Sequence, residues 1–186
     1  MSAQATSPET DPFSVLTDIA RRSREQAAGL PKQEEAVELF SGIGFTLAGQ
    51  RYVAPMGEVV EILDVPRFTP VPGVRAFMLG VANVRGRLLP ITDLALYFGL
   101  PRPAGTLRER RVLVIEQGSL FSGLVVDDVL GMQYFSVDSH VSDPEDPPAA
   151  VKPFLRGAYQ RSDEVWNVFS TLALADSEQF LDVAHW

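Results

Sequence analysis

Few residues in this chain have types and spacing that could support catalysis. Asp127 and Asp128 form an adjacent carboxylate pair, of a kind that could share a proton or a metal ion. Neighbouring residues of a strand point to opposite faces, so we interpret this pair as a charged strand end. The Gly42-Ile43-Gly44 run lacks the third glycine of a dinucleotide-binding loop, because the next glycine is Gly49. We therefore predict no active site at these positions.

Cysteine and histidine add little reactive chemistry. The chain has no cysteine, which excludes disulfides, thiolate nucleophiles and cysteine-bound zinc or iron. Of its two histidines, His140 stands in a Ser-, Asp- and Pro-rich stretch typical of a surface loop, and His185 is the penultimate residue. We predict no enzyme activity, no metal and no cofactor. The alternative, a hydrolase that uses Asp127 or Asp128, would require a deep polar pocket beside these carboxylates.

Two arginines, Arg85 and Arg87, are better suited to binding than to catalysis. They flank Gly86 between two apolar runs, which predicts the tip of a β-hairpin with Gly86 at positive φ. Guanidinium groups bind carboxylates through paired hydrogen bonds. Two interpretations stay open, a contact with a partner protein and an ion pair within the chain. Val59 and Ile62 belong to a partner groove if they are exposed near Arg85, and to the core if they are not.

The elements that must position these residues are mostly strands. Alternating patterns after Leu39 predict a hairpin that turns at Ala48-Gly49-Gln50, and a further turn at 117–119. Asp93 is predicted to cap a short helix from Leu94 to Phe98.

An amphipathic helix is predicted before the strands. It begins at Pro12 with Asp11 as its cap, and Gly29 and Pro31 end it. Its apolar side packs either on its own domain or on a partner.

The second half of the chain repeats the order of the first half. The stretch 154–157 is similar to 77–80, 168–174 is similar to 90–96, and 128–129 is similar to 58–59, at offsets of roughly 70 to 78 residues. This similarity predicts two copies of one strand-rich unit of about 65–70 residues, the size of a small β-barrel.

The predicted domain organisation follows from these patterns. Residues 1–11 are expected to be a disordered tail and residues 12–38 a helical extension. The main domain spans 39–182, with subdomains at about 39–106 and about 107–182.

Charge and hydropathy exclude further function classes. The formal net charge is −8, and the acidic excess falls after about residue 111, which disfavours nucleic-acid binding. No apolar run approaches the ~20 residues of a membrane span, and the first residues are not a signal peptide. We expect a soluble, cytoplasmic protein.

Three motifs resemble those of the CheW-like chemotaxis coupling proteins. The run from Gly80 to Leu94 resembles their G-x-x-N-L-R-G-x-x-x-P-x-x-D-L signature, with Val84 in place of leucine. The run 123–129 resembles their G-x-x-V-D-x-V element, and 52–62 resembles their Y-A-L-P-I…V-x-E-I stretch. The resemblance implies a mainly β fold of two intertwined, five-stranded SH3-like barrels with short helices, to which this chain adds an N-terminal helix.

The resemblance also implies a function. Such proteins are adaptors without catalytic activity, which couple the cytoplasmic tip of a methyl-accepting chemoreceptor to the regulatory domain of a CheA-like histidine kinase. Local details resemble the subfamily that serves type IV pilus twitching motility; the alternative is an adaptor of flagellar chemotaxis. Carried over to this chain, the resemblance implies receptor-binding residues Val59, Glu61, Ile62, Gly80, Asn83 and Arg85. The kinase-binding residues that it implies are Val112 and Val129.

Overall fold

The computed structural model describes residues 12–25, 38–118, 120–142 and 147–183. Within these residues the fold is mainly β, as predicted, and the strands form two sheets. The strands of the A sheet are Leu39–Leu47 (β1), Gln50–Pro55 (β2), Asp128–Ser136 (β8), His140–Val141 (β9), Leu155–Arg161 (β10) and Glu164–Phe169 (β11). The strands of the B sheet are Glu61–Asp64 (β3), Met78–Val84 (β4), Arg87–Asp93 (β5), Arg111–Gln117 (β6) and Leu120–Val126 (β7).

Each sheet combines strands from both halves of the chain. The A sheet has the order β8-β1-β2-β11-β10-β9, and the B sheet has the order β3-β6-β7-β5-β4. The β1–β2 hairpin therefore completes a sheet of late strands, and the β6–β7 hairpin completes a sheet of early ones. Both exchanges use parallel pairs, β2 with β11 and β5 with β7. The sheets thus cross the division expected near residue 106, because β6 and β7 pair with strands that precede it.

The internal repeat is visible in matching hydrogen bonds. The carbonyl of Phe77 accepts from the N–H of Asp93, and that of Phe154 accepts from the N–H of Ser170, both at 2.8 Å. Asp93 and Ser170 each cap a short helix with their side chain. Ser170 is therefore the equivalent of Asp93, so the expected match of 168–174 with 90–96 is shifted by one residue. The described helices are Pro12–Glu25 (α1), Leu94–Tyr97 (α2), Thr171–Ala175 (α3) and Glu178–Leu181 (α4).

The B sheet closes into a barrel through the segment that follows β3. The N–H and carbonyl groups of Thr69 and Val81 exchange two hydrogen bonds of 2.9 Å, which join this segment to β4. Gly80 permits the close approach, because a Cβ at this position would overlap the carbonyl oxygen of Thr69. Its φ of 152° also disfavours other residues.

The apolar core has three parts. One lies between the two sheets and contains Phe45, Tyr52, Leu113, Leu124 and Phe169, each at most 1% exposed. Another fills the B sheet, and the third fills the A sheet. Burial raises the pKa of Tyr52 to about 12, because the ionised phenolate is poorly solvated there.

The helix α1 belongs to an N-terminal unit, Met1–Val37, and the sheets belong to a second unit, Glu38–Trp186. Helix α1 starts at Pro12, as predicted, and Leu16 and Ile19 are exposed on its apolar side. The expected tail at 1–11 and the expected helix end at 29–31 lie outside the described residues. No helix in the described part of the chain is long and apolar enough to cross a membrane.

Candidate functional site

The tip of the β4–β5 hairpin is a two-residue turn, Arg85-Gly86, between the paired residues Val84 and Arg87. Both turn residues have positive φ, 52° at Arg85 and 81° at Gly86, as in a type I′ turn. Oδ1 of Asn83 accepts a hydrogen bond of 2.9 Å from the N–H of Gly86. The positive φ predicted for Gly86 is confirmed, and the turn presents Arg85 to solvent.

Arg85 forms an ion pair with Glu61, with Nη2 and Oε1 2.6 Å apart. The Arg85 side chain is 78% exposed and that of Glu61 is 25% exposed. Glu61 begins β3, at the opposite end of the sheet order from β4, so the pair bridges the edges that meet where the B barrel closes. Of the two interpretations of Arg85, the ion pair within the chain is therefore present. Because the Arg85 side chain is largely exposed, its guanidinium is still accessible to a partner.

A second ion pair lies beside the hairpin tip. Arg87 donates to both carboxylate oxygens of Glu116, at 2.8 and 3.2 Å, and its guanidinium carbon lies 3.8 Å from the ring centroid of Phe121. The hydrogen bond from Arg87 lowers the pKa of Glu116, because it stabilises the ionised carboxylate. Arg87 is thus held by its own sheet, whereas Arg85 extends from the tip.

Three large apolar side chains are exposed around these pairs, one directly before β3 and one each on β3 and β5. Val60 is 57% exposed, Ile62 is 39% exposed and Leu88 is 71% exposed. Ile62 and Leu88 point outward because their neighbours Leu63 and Leu89 face the interior of the B barrel. Exposed apolar side chains beside an accessible charge are typical of a protein-binding surface.

Several residues implied by the resemblance are covered rather than exposed. Val112 is 0% exposed in the core of the B barrel, so its assignment to a kinase contact is corrected. It lies on β6, a strand flanked by two others, and apolar runs of this kind mark buried strands. Gly80 is also buried, and its lack of a Cβ lets the barrel close. Val59 and Val129 are half-buried against the core between the sheets.

The carboxylate of Asp127 is part of a buried ionic network. Its Oδ1 accepts from Nη2 of Arg110 at 2.8 Å, and its Oδ2 accepts from the N–H of Ala48 at 2.7 Å. Nη1 of Arg110 also donates to Asp93 at 2.8 Å. The side chains of Arg110 and Asp93 are only 6% and 0% exposed. This network joins the β1–β2 turn of the A sheet to the end of β5 in the B sheet.

Because of this network, Asp127 has no free carboxylate oxygen for a catalytic role. An open depression of about 420 Å³ lies beside Asp127 and Asp128, yet both oxygens of Asp127 are already bonded. Among the described residues no group of three or more His, Asp or Glu side chains could hold a metal ion. His140 is exposed, and His185 lies outside the described residues.

Glu58 makes a buried contact that sequence reasoning missed. Its Oε2 accepts from the N–H of Thr171 at 2.7 Å and from the Thr171 hydroxyl at 2.9 Å. Glu58, which lies in the connection between β2 and β3, thereby accepts hydrogen bonds from the first residue of α3. No local motif signals this contact, because its partner lies in the other repeat.

Residues 41–179 match the family model described as the CheW-like domain. The chain belongs to the CheW-like family. Protein PilI of Pseudomonas aeruginosa is 51% identical over 173 residues, which cover 93% of this chain and 96% of that protein. The chemotaxis protein CheW of Helicobacter pylori is 33% identical over 60% of this chain and 67% of that protein.

A solved structure confirms the fold of this CheW-like chain. The scaffolding protein TtCheW from Thermoanaerobacter tengcongensis superposes with a TM-score of 0.62, covering 71% of this chain and 89% of that one, at 23% identity. At this identity the likeness shows the fold alone. Together with the family match, it confirms the predicted pair of SH3-like subdomains. This CheW-like protein is a scaffold of the coupling class found in chemosensory systems.

Proposed function

We propose that this protein is a non-catalytic cytoplasmic adaptor in the chemosensory system that controls type IV pilus twitching motility. It couples the cytoplasmic tip of a methyl-accepting chemoreceptor to the regulatory domain of a CheA-like histidine kinase. The identity of 51% with PilI across nearly the whole chain supports this system over flagellar chemotaxis. The acidic charge of −8 is consistent with partners other than nucleic acid, and the protein reaches the membrane only through its receptor.

The main support for a receptor-binding surface is the exposed ion pair of Arg85 and Glu61 at the hairpin tip. A pair that is 78% exposed at Arg85 contributes little to stability, so the guanidinium can exchange Glu61 for a receptor carboxylate at small cost. An amphipathic receptor helix would place its apolar side on Ile62 while the charge of Arg85 fixes its register. Asn83 acts by holding the turn, and Val59 supports the surface from below.

The kinase surface is assigned to the start of β8, around Val129. This residue lies at the edge of the A sheet, far along the chain from the hairpin tip, and is half-buried. Two separate surfaces on one rigid body allow both partners to bind together. Each contact needs only modest affinity, because assembly into an array multiplies weak contacts.

Titration of a receptor-tip fragment with the full chain tests the receptor surface. Arg85→Asn should weaken binding at least tenfold. Arg75→Asn is the matched control, because Arg75 also forms an exposed ion pair of 2.6 Å, with Asp182. Equal binding by the wild type and both variants would contradict the assignment of Arg85.

A deletion strain distinguishes the two chemosensory systems. Loss of surface twitching with normal swimming is expected, and the Arg85→Asn variant should fail to restore twitching. Loss of swimming with normal twitching would place the adaptor in flagellar chemotaxis instead.

A further inference from the structure

A shallow groove lies at the end of the B barrel opposite the hairpin tip. It has a volume of about 440 Å³ and is lined by Val65, Pro66, Arg67, Phe68, Leu107 and Arg108. The first four residues directly follow β3, and the last two lie in the 3-10 turn Leu107–Glu109 shortly before β6. Glu61 begins β3 and Asp64 ends it, so the strand separates the groove from the tip by about 10 Å. The groove is therefore distinct from the proposed receptor surface.

The floor of the groove is apolar and half-buried. Val65, Phe68 and Leu107 pack against the core of the B barrel on one side and face the groove on the other. Leu107 is held by a single turn of 3-10 helix, in which the N–H of Thr106 donates to Glu109 at 3.0 Å. The floor is thus fixed by the fold, and an apolar side chain placed on it would be removed from water without rearrangement.

The rim of the groove carries unpaired positive charge. Arg67 and Arg108 are both exposed, and neither forms an ion pair with any residue that the structure describes. The nearby carboxylates are already used, since Asp64 pairs with Arg111 at 2.9 Å and Glu109 caps its own turn. Two free guanidinium groups beside an apolar floor complement a ligand with carboxylates around one large apolar side chain.

We propose that this groove binds an acidic segment of a partner protein, with an apolar anchor on Phe68 and Leu107 and carboxylates paired with Arg67 and Arg108. A protein segment fits better than a membrane surface, because lipid-binding patches carry clusters of about 4–8 basic residues. The groove instead offers two arginines on either side of a concave apolar floor. It gives the adaptor a third binding surface, independent of receptor and kinase.

Fluorescence anisotropy with three labelled hexapeptides tests the proposal on the full chain. The probe Glu-Glu-Leu-Phe-Glu-Glu should bind. The versions with Gly-Gly in the centre or with lysine in place of glutamate should bind at least tenfold more weakly. Raised salt should weaken binding of the first peptide, because exposed charges are screened.

Charge reversal in the groove provides the specific readout. The double variant Arg67→Glu/Arg108→Glu should lose the acidic peptide and gain the lysine peptide, a reversal that unfolding cannot produce. Arg102→Glu is the matched control, because Arg102 is an exposed arginine that does not line the groove. It should leave the preference for the acidic peptide unchanged.

Three outcomes would overturn the proposal. The acidic peptide binds no better than the lysine peptide, or charge reversal leaves the preference as it was. In the third outcome, self-association of the chain depends on Arg67 and Arg108 in sedimentation velocity, which would make a second copy the occupant.

Discussion

Glu61 begins β3 and Arg85 lies in the turn that follows β4, at opposite ends of the B sheet order, yet their side chains form an ion pair of 2.6 Å. The sheet brings them together because it curls until β4 meets the segment after β3 through Thr69 and Val81. The pair marks the place where the barrel closes and also the most exposed charge of the hairpin tip. Its structural and functional roles can therefore be separated by substitution.

Arg85→Asn should separate stability from binding. Asparagine tolerates positive φ and forms type I′ turns with a following glycine, which offsets loss of the ion pair, so the free energy of unfolding should stay within about 1 kcal/mol of the wild type. Loss of the exposed ion pair costs at most about 1 kcal/mol. Receptor binding should nevertheless fall. A variant that loses stability and binding in parallel would show that Arg85 acts only through folding.

Gly80→Ala should destabilise the B barrel by about 3 kcal/mol or more. The new Cβ would overlap the carbonyl oxygen of Thr69 at the seam and also adopt an unfavourable φ. Gly73→Ala is the control, because Gly73 has positive φ but open space around its Cα. Urea unfolding measures both variants. Equal losses would mean that backbone strain, and not closure of the seam, is what Gly80 relieves.

Arg110→Ala should be among the most damaging single substitutions, with a loss of about 3–5 kcal/mol. It leaves the buried carboxylates of Asp93 and Asp127 without their shared cation. Arg75→Ala, which breaks an exposed pair, should cost less than about 1 kcal/mol. Thermal unfolding of the two variants compares them directly. Similar losses would contradict the role assigned to the buried network.

The pair of Arg87 and Glu116 predicts a pH dependence. Because Arg87 lowers the pKa of Glu116 in the folded state, the pair stabilises the fold above the ordinary glutamate pKa. That contribution is lost as pH falls through the lowered value. Arg87→Gln should raise the pKa of Glu116, measured by carbon-13 NMR of its carboxyl group. An unchanged titration would show that the hydrogen bond does not set it.

The local parts of this structure could be predicted from the sequence. The turns at Ala48-Gly49 and Arg85-Gly86 follow from glycine within alternating apolar runs, and the Asp93 cap follows from its place before a short apolar helix. The repeat indicated two similar units. These features depend on neighbouring residues, so one stretch of sequence contains their cause.

The non-local parts could not be predicted. The exchange of hairpins depends on the parallel pairs of β2 with β11 and β5 with β7, which join residues far apart in the chain. The burial of Val112 depends on the position of β6 within the sheet. Sequence alone does not distinguish an apolar core residue from an apolar residue on a binding surface. The network of Asp93, Arg110 and Asp127 has no local signature, so the position of Asp127 at a strand end does not indicate its buried partner.

The central claim is that one rigid scaffold holds receptor and kinase at the same time. Isothermal titration of the full chain with the receptor tip, with the kinase regulatory domain, and with each partner in the presence of the other tests it most directly. The account predicts that each partner binds alone and binds with undiminished affinity when the other is already present. Competition between the two partners, or binding of only one of them, would contradict the two-surface scaffold.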